Sequence, residues 1–228
     1  MMHDERSTRI YRQAVFADRA EAGEQLGAAV AARLRPDEHA VVLGLARGGV
    51  VVAAEVARLT GKPLDVVVVR KIGAPENEEL AIGAVGEEGE PILNDAAIGE
   101  FAIFDEYVIM AVRRAREEMQ RRVAAYRQGP RPAVAGKTAV LVDDGIATGA
   151  TIEAAIETVK RWGAGRVVVA VPVISRQAEA RLRRRVDDLV ALLVPRLFLA
   201  VGQFYDEFPQ VTDDQVRALL AEGREMAA

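Results

Sequence analysis

Two adjacent carboxylates, Asp143 and Asp144, stand at the end of an apolar run and precede a stretch of small and hydroxyl residues. That stretch contains Thr148 and Thr151 and leads directly into an amphipathic segment. Carboxylates can accept hydrogen bonds from vicinal sugar hydroxyls, and the free amides at a helix N-terminus bind phosphate. We therefore expect residues 143–151 to bind a phosphorylated sugar. The alternative interpretation is an ordinary turn in which Asp144 or Thr148 only caps the helix.

Two further groups of cations follow apolar runs. Arg47 precedes a pair of glycines after residues 41–45, and Arg70-Lys71 follow residues 64–69, so they are predicted to end the second strand. Backbone amides of the glycine turn and the Arg47 guanidinium could hold a second anionic group. A plain turn with a solvated arginine is the alternative. Because neighbours on a strand point to opposite faces, we expect only one of Arg70 and Lys71 to face a ligand.

Short runs rich in valine and leucine alternate with helical patterns, which predicts an α/β fold. The predicted strands are residues 41–45, 64–69, 138–142, 166–171 and 189–194. The predicted helices are residues 20–34, 50–59, 101–126, 151–162 and 176–185, with Phe101 and Phe104 in the apolar stripe of the longest. Strands apolar on both faces must be covered by helices. We expect a doubly wound, mainly parallel central sheet of about five strands flanked by helices.

The whole chain, residues 1–228, is predicted to be a single domain with its core at about 41–194. Residues 71–100 contain several glycines and glutamates and are too long for an ordinary connection, which predicts a flexible lid hairpin. An acidic surface hairpin without chemistry is the alternative. Residues 195–228 form a predicted small C-terminal hood, where Phe204 and Tyr205 could stack on a ligand or simply pack in a core.

Residues 140–151 resemble the ribose-5-phosphate motif of the type I phosphoribosyltransferases, where two acids precede a loop that ends in Thr-Gly-x-Thr. The resemblance implies that 5-phosphoribosyl 1-pyrophosphate binds with Mg²⁺, which arrives with the substrate near the two acids, and that a nitrogen acceptor displaces pyrophosphate. It assigns substrate binding to Arg47, Gly48, Gly49, Arg70, Lys71, Asp143, Asp144, Gly145, Ile146, Ala147, Thr148, Gly149, Ala150 and Thr151. It assigns catalytic roles to Arg47, Lys71, Glu79 and Asp144.

The acceptor is less defined by the residues. Members that act on hypoxanthine and guanine carry an aspartate inside the phosphate loop, and this chain has Ala147 there, which favours an adenine-like or amine acceptor. Glu79 is the candidate lid glutamate, and Glu76, Glu78, Glu87 and Glu88 are equally suitable. A phosphoribosyl-ligand sensor on the same fold is the alternative function. The chain shows no helix-turn-helix extension, which favours the enzyme.

Composition excludes several other classes. The chain has 228 residues, a formal net charge of -4, no cysteine and two histidines. Thiolate chemistry and a histidine-rich metal site are excluded, and the acidic balance argues against nucleic-acid binding. No apolar run approaches the ~20 residues of a membrane span, and no apolar signal core opens the chain, so we expect a soluble cytoplasmic protein. Whether it forms a homodimer is left open.

Overall fold

Five parallel strands form the central sheet of the computed structural model, which describes residues 15–75, 77–127 and 129–225. They are β1 (Ala40–Leu45), β2 (Leu64–Val67), β6 (Thr138–Val142), β7 (Arg166–Val173) and β8 (Asp188–Leu193), in the order β2-β1-β6-β7-β8. The chain therefore moves outward in one direction from β1 and in the other from β6. Ligands of open parallel sheets bind at such a switch point, beyond the carboxyl ends of the strands. The doubly wound parallel sheet is confirmed.

Helices cover both faces of this sheet because alternate strand residues point to opposite sides. The helices α1 (Arg19–Ala31), α2 (Gly48–Thr60) and α7 (Asp213–Glu225) pack on one face, and α5 (Ala150–Arg161) and α6 (Arg176–Leu182) pack on the other. Val41 and Leu43 contribute to the core beneath α5, whereas Val42 contributes to the core beneath α1 and α2. The apolar character of both strand faces thus has its physical reason.

A second, antiparallel sheet follows β2. It consists of β3 (Arg70–Ala74), β4 (Asn77–Val85) and β5 (Ile92–Leu93), and the helices α3 (Asp95–Glu100) and α4 (Asp105–Tyr126) come next. Ile72 and Ile82 pack with Val108 and Ala115 of α4 in a separate small core. The hairpin expected at residues 71–100 is therefore present, and its motion stays a prediction.

The prediction that Arg70 and Lys71 end the second strand is wrong. β2 ends at Val67, and the two cations begin β3 of the antiparallel sheet. The physical reason lies one residue beyond β2, because the Val68 amide donates to the Glu87 carboxylate at 2.9 Å. Residues 66–69 are all apolar, so the sequence pattern gives no sign that the chain leaves the first sheet after Val67.

Glu87 and Arg127 form a buried ion pair where the lid joins the core. Their side chains are 7% and 6% exposed, and Arg127 Nη1 lies 2.5 Å from Glu87 Oε2. Arg127 Nη2 also donates to the carbonyl of Val66 at 2.7 Å. This ion pair therefore links the lid to the ends of β2 and α4.

One helix prediction is wrong, and the structure favours one of the two alternatives left open for the hood aromatics. α4 begins at Asp105, so Phe101 and Phe104 precede it and are 51% and 78% exposed instead of lying in its apolar stripe. In the predicted hood, Phe204 and Tyr205 are buried against Phe16, which supports core packing and not a stacking surface. The last helix, α7, packs into the core beneath α1 and α2, and the covering role of the hood stays a prediction.

Candidate active site

The turn after β1 packs directly against the two carboxylates after β6. A Cβ added at Gly48 would lie 1.9 Å from Asp144 Oδ2, and one at Gly49 would lie 2.6 Å from the carbonyl oxygen of Val142. Such distances are too short for a Cβ, so a side chain at Gly48 would displace the Asp144 carboxylate and one at Gly49 would displace backbone atoms. The structure therefore brings together Gly48, Gly49, Asp143 and Asp144, as the geometry of adjacent parallel strands predicts.

The two carboxylates are adjacent and half-buried. Asp143 Oδ1 accepts a hydrogen bond of 2.9 Å from the Asp144 amide. Burial raises the pKa of Asp143 well above its ordinary value, and the neighbouring charge of Asp144 raises it further. The pair therefore holds a proton more readily than free carboxylates do, and a cationic partner favours its ionised form.

Arg19 supplies that cationic partner. Its Nε donates to Asp144 Oδ2 at 2.7 Å, its Nη1 donates to the carbonyl of Pro209 at 2.8 Å, and its guanidinium lies 3.6 Å from the ring centroid of Phe208. Burial raises the pKa of Asp144, and the Arg19 charge opposes that rise. Arg19 is not among the residues predicted for the site. Its only sequence signal is a cation on the apolar face of α1, in register with Ala22 and Leu26.

The loop from Gly145 to Gly149 is held by the end of β7. The Ile146 amide donates to Val173 at 2.9 Å, and the Ser175 hydroxyl donates to the carbonyl of Ala147 at 2.6 Å. Gly149 has a φ of +86° and is the N-cap of α5, with no hydrogen bond from a side-chain cap. The interpretation that Asp144 or Thr148 merely caps this helix is therefore wrong. The first amides of α5 lack a side-chain cap, as at an anion-binding terminus.

A second cation that the sequence analysis missed lies beside this loop. Arg181 of α6 donates from Nη2 to the carbonyl of Thr148, and its Nε lies 2.6 Å from Glu153 Oε1. A Cβ at Gly149 would lie 3.0 Å from the same guanidinium. Arg181 thus adds positive charge near Thr148, although a carboxylate of α5 shares it.

The loop over residues 143–151 also borders the lid. A groove of about 580 Å³ lies between them and is lined on one side by Ala147, Thr148 and Ala150. Leu80 and Phe101 are among the residues on the lid side. The lid is therefore adjacent to the loop that it is expected to cover.

Arg47 precedes the first residue of α2 but extends toward the C-terminal helix. Its guanidinium lies 3.6 Å from Asp213 Oδ1, and the Tyr126 hydroxyl donates to the same oxygen at 2.5 Å. The hydrogen bond from Tyr126 lowers the pKa of Asp213, and the Arg47 charge adds to this effect. Burial raises the pKa of Tyr126 to about 12, so this hydroxyl keeps its proton. To bind an anionic ligand, Arg47 would first have to release its ion pair with Asp213.

Arg70, Lys71 and Glu79 are the predicted site residues outside the 47–49 turn and the 143–151 loop. Arg70 and Lys71 line a groove between β3 and α4, and no residue of the 47–49 turn or the 143–151 loop is among the described residues that line it. The backbone of Glu79 lies in β4, and its side chain is outside the described part of the structure, as is that of Glu78. Glu76 lies outside the described residues altogether. Their assigned roles stay predictions.

The donor set at the site suits magnesium. In the described residues, no group of three or more histidine, cysteine, aspartate and glutamate side chains could hold a metal ion by itself. Mg²⁺ commonly takes one or two carboxylates and completes its shell with water and substrate phosphate oxygens. Asp143 and Asp144 are adjacent carboxylates of this kind, so the residues present fit the ion.

Across the described ranges, no helix has the length and apolar character needed to cross a membrane. At the switch point of the parallel sheet, the glycine turn, the two acids and a helix N-terminus without a side-chain cap therefore lie at one edge of the sheet. Residues 18–205 match the family model of the phosphoribosyl transferase domain. The chain belongs to this family, which confirms the resemblance found in the sequence.

Individual relatives agree with the family match. The chain is 45% identical over 207 residues to "Putative phosphoribosyl transferase Rv0571c" of Mycobacterium tuberculosis (strain ATCC 25618 / H37Rv), over 90% of this chain and 46% of the relative. The same values hold for "Putative phosphoribosyl transferase MT0597" of strain CDC 1551 / Oshkosh. The chain thus spans about half the length of these curated relatives. The crystal structure of TT1426 from Thermus thermophilus is 50% identical, with a TM-score of 0.75, and covers 91% of this chain and 98% of that chain.

Proposed function

We propose that this protein is a Mg²⁺-dependent phosphoribosyltransferase that transfers the 5-phosphoribosyl group of phosphoribosyl pyrophosphate to a nitrogen acceptor. The observation that carries the proposal is the contact between Gly48 and the Asp144 carboxylate. This contact joins the turn suited to pyrophosphate and the acids suited to ribose, so one ligand can span both loops. The family match and the names of the relatives support the same class of reaction.

Each part of the site has a role in this reaction. The amides at the start of α5, with the hydroxyls of Thr148 and Thr151, would hold the 5-phosphate dianion. Asp143 and Asp144 would accept hydrogen bonds from the ribose hydroxyls. The amides of the glycine turn and the guanidinium of Arg47 would stabilise charge on the leaving pyrophosphate.

The reaction breaks the bond from C1 of the ribose to the pyrophosphate oxygen and forms a bond from C1 to the acceptor nitrogen. The bonding electron pair leaves with pyrophosphate, and the acceptor gives up a proton. When bound, Mg²⁺ neutralises charge on the pyrophosphate oxygens. The protein therefore acts mainly by positioning and charge, and the lid would exclude water that competes with the acceptor.

Two arguments address the acceptor, and one of them weakens in this structure. An acidic lid would repel an anionic acceptor such as orotate. However, the Glu87, Glu88 and Glu90 carboxylates are each paired with an arginine, namely Arg127, Arg131 and Arg116. Their repulsion is therefore largely cancelled. The preference for adenine or an amine over hypoxanthine and guanine rests on Ala147, which cannot act as a base in the phosphate loop.

Calorimetry with phosphoribosyl pyrophosphate and Mg²⁺ tests the substrate. Replacing both acids, in Asp143→Asn/Asp144→Asn, removes charge-assisted contacts of about 1.5 to 3 kcal/mol each and should weaken binding at least ~10-fold. The matched control is Asp37→Asn, which alters an exposed aspartate shortly before the start of β1. Equal affinity of the double variant and the parent would refute the proposal.

A second assay tests the reaction itself. Pyrophosphate release is measured with adenine, hypoxanthine, guanine, orotate and simple amines as acceptors. Release with adenine or an amine supports the transferase. Tight binding of phosphoribosyl pyrophosphate without release for any acceptor would instead support the sensor on the same fold. Faster release with hypoxanthine than with adenine would refute the argument from Ala147.

A further inference from the structure

A second groove, of about 480 Å³, lies between the edge strand β3 and the helix α4. Its lining is Arg70, Lys71, Ile72, Gly73, Tyr107, Met110, Ala111, Arg114, Ala115, Glu118 and Arg121. The volume is within the range of roughly 300 to 1,000 Å³ that small-molecule sites occupy. The groove is separate in its lining from both loops of the candidate active site.

The charge of this lining is opposite to that of the protein. Among the described lining residues of α4, Arg114 and Arg121 are cationic and Glu118 is anionic, whereas the whole chain has a formal net charge of -4. Glu118 is engaged by Arg121 and by Arg122, the latter at 3.1 Å. Among the described residues, no carboxylate lies within the ion-pair limit of 4.0 Å from Arg114. The groove therefore has positive charge in excess of what its own carboxylate balances.

The register of α4 explains why the cations face this groove. Tyr107, Met110, Arg114, Glu118 and Arg121 follow one another at intervals of three or four, so they form one stripe of the helix. Other arginines of the helix pair elsewhere. Arg113 lies 3.5 Å from Glu117 and Arg116 lies 3.5 Å from Glu90.

The stripe changes character along its length. At its start, the Tyr107 hydroxyl donates to the carbonyl of Gly73 at 3.0 Å, and Met110 is 52% exposed. Toward its end come Arg114 and Arg121. One end is therefore aromatic and apolar, and the other is rich in guanidinium groups. Guanidinium groups bind phosphate in a bidentate manner, whereas methionine and tyrosine suit the flat face of a base.

We propose that this groove binds a nucleotide with a polyphosphate chain, at a site distinct from the one for phosphoribosyl pyrophosphate. The phosphates lie along Arg114 and Arg121, and the base lies toward Tyr107 and Met110. The proposal does not depend on the proposed transferase activity, because its phosphate contacts are Arg114 and Arg121, neither of which is assigned to the transferase site.

The test uses calorimetry with ATP in the absence of Mg²⁺, on full-length protein that carries Asp143→Asn/Asp144→Asn to disable the candidate active site. Arg114→Glu/Arg121→Glu is added to reverse the charge of the groove. The matched control adds Arg113→Glu/Arg184→Glu, two exposed arginines outside the groove whose reversal changes the net charge equally. Arg70 and Lys71 are left intact. Thermal melts check that each variant is folded, and Arg114→Gln/Arg121→Gln replaces any reversal that is not.

We expect ATP to bind in the disabled background and the groove reversal to weaken it at least ~10-fold, with less than threefold change in the control. Inorganic tripolyphosphate should bind more weakly than ATP, because it lacks the base. Absence of ATP binding, or equal weakening by both reversals, would overturn the site. Tripolyphosphate binding as tightly as ATP would overturn its assignment to a nucleotide.

Discussion

A single methyl group at Gly48 is expected to reduce substrate affinity while leaving the fold almost intact. The new Cβ would lie 1.9 Å from Oδ2 and 2.7 Å from Cγ of Asp144, whereas real Cβ contacts are essentially never shorter than 3.0 Å. The carboxylate must therefore move by about 1 Å, which breaks its 2.7 Å hydrogen bond from Arg19. Loss of one charge-assisted contact of about 1.5 to 3 kcal/mol corresponds to ~10- to 100-fold, so we expect affinity for phosphoribosyl pyrophosphate to fall by that factor.

Two other glycines make this experiment specific. At Gly49, the added Cβ would lie 2.6 Å from the Val142 carbonyl oxygen and 2.8 Å from the Asp143 Cα, which are backbone atoms that cannot rotate away. Gly49→Ala should therefore lower the free energy of unfolding by about 1 to 3 kcal/mol. The melting temperature should fall by roughly 2 to 4 °C for each kcal/mol lost. At Gly99, in α3, a Cβ would meet nothing within 4 Å. Gly99→Ala should leave affinity unchanged and add about 0.5 to 1 kcal/mol of stability.

Thermal melts and calorimetry with Mg²⁺ and phosphoribosyl pyrophosphate on the three variants separate these effects. Gly48→Ala should lower the melting temperature less than Gly49→Ala does, because only a side chain is displaced, and it should bind weakly. Unchanged affinity in Gly48→Ala, at an unchanged melting temperature, would show that the position of the Asp144 carboxylate does not matter for the ligand. A melting temperature of Gly48→Ala as low as that of Gly49→Ala would refute the inference that the side chain alone moves.

Three more predictions concern single charges. Arg19→Met should raise the pKa of Asp144 further, because Arg19 opposes the effect of burial. The loss of ligand affinity at acid pH, measured by calorimetry, should then begin at a higher pH in the variant than in the parent. An unshifted pH profile would contradict this role of Arg19. Burial raises the pKa of Glu38, but hydrogen bonds from a threonine hydroxyl, a backbone amide and Arg166 outweigh it and hold the value at about 2, below the ordinary 4.5. Glu38→Gln should therefore cost about 1 to 3 kcal/mol at neutral pH, and parent and variant should converge as the pH falls from 4.5 toward 2 in denaturant titrations. Arg47→Ala should lower turnover ~10²-fold while ribose 5-phosphate, which lacks the pyrophosphate, binds as before. An equal loss of turnover and of ribose 5-phosphate affinity would instead indicate a damaged turn.

The sheet and the centre of the site could be predicted because both follow from local patterns. Residues such as Val140 and Leu141 are apolar on both strand faces, and only a sheet covered by helices uses such a run. The carboxyl ends of adjacent parallel strands meet at one edge, so the turn at Gly48 and the acid at Asp144 could be expected to lie together. No individual contact had to be known for that inference.

The partners of those residues could not be predicted, because they depend on contacts between distant segments. Arg19 and Asp144 are 125 positions apart, and no local periodicity specifies that pair. The change of sheet after Val67 depends on a hydrogen bond from Val68 to Glu87, in the middle of a continuous apolar run. The direction of Arg47 depends on Asp213 of the last helix. Each error or omission is a long-range choice of hydrogen-bond or charge partner.

The buried pair of Glu87 and Arg127 constrains how this sequence can drift during evolution. Loss of either partner leaves an unpaired charge in a site where the two side chains are only 7% and 6% exposed, at a cost of about 3 to 5 kcal/mol. That cost is a large part of the ~5 to 15 kcal/mol by which a typical domain is stable. A lineage can therefore exchange this pair for an apolar one only by nearly simultaneous substitutions. Positions 87 and 127, which are 40 residues apart, should covary among relatives that keep the lid.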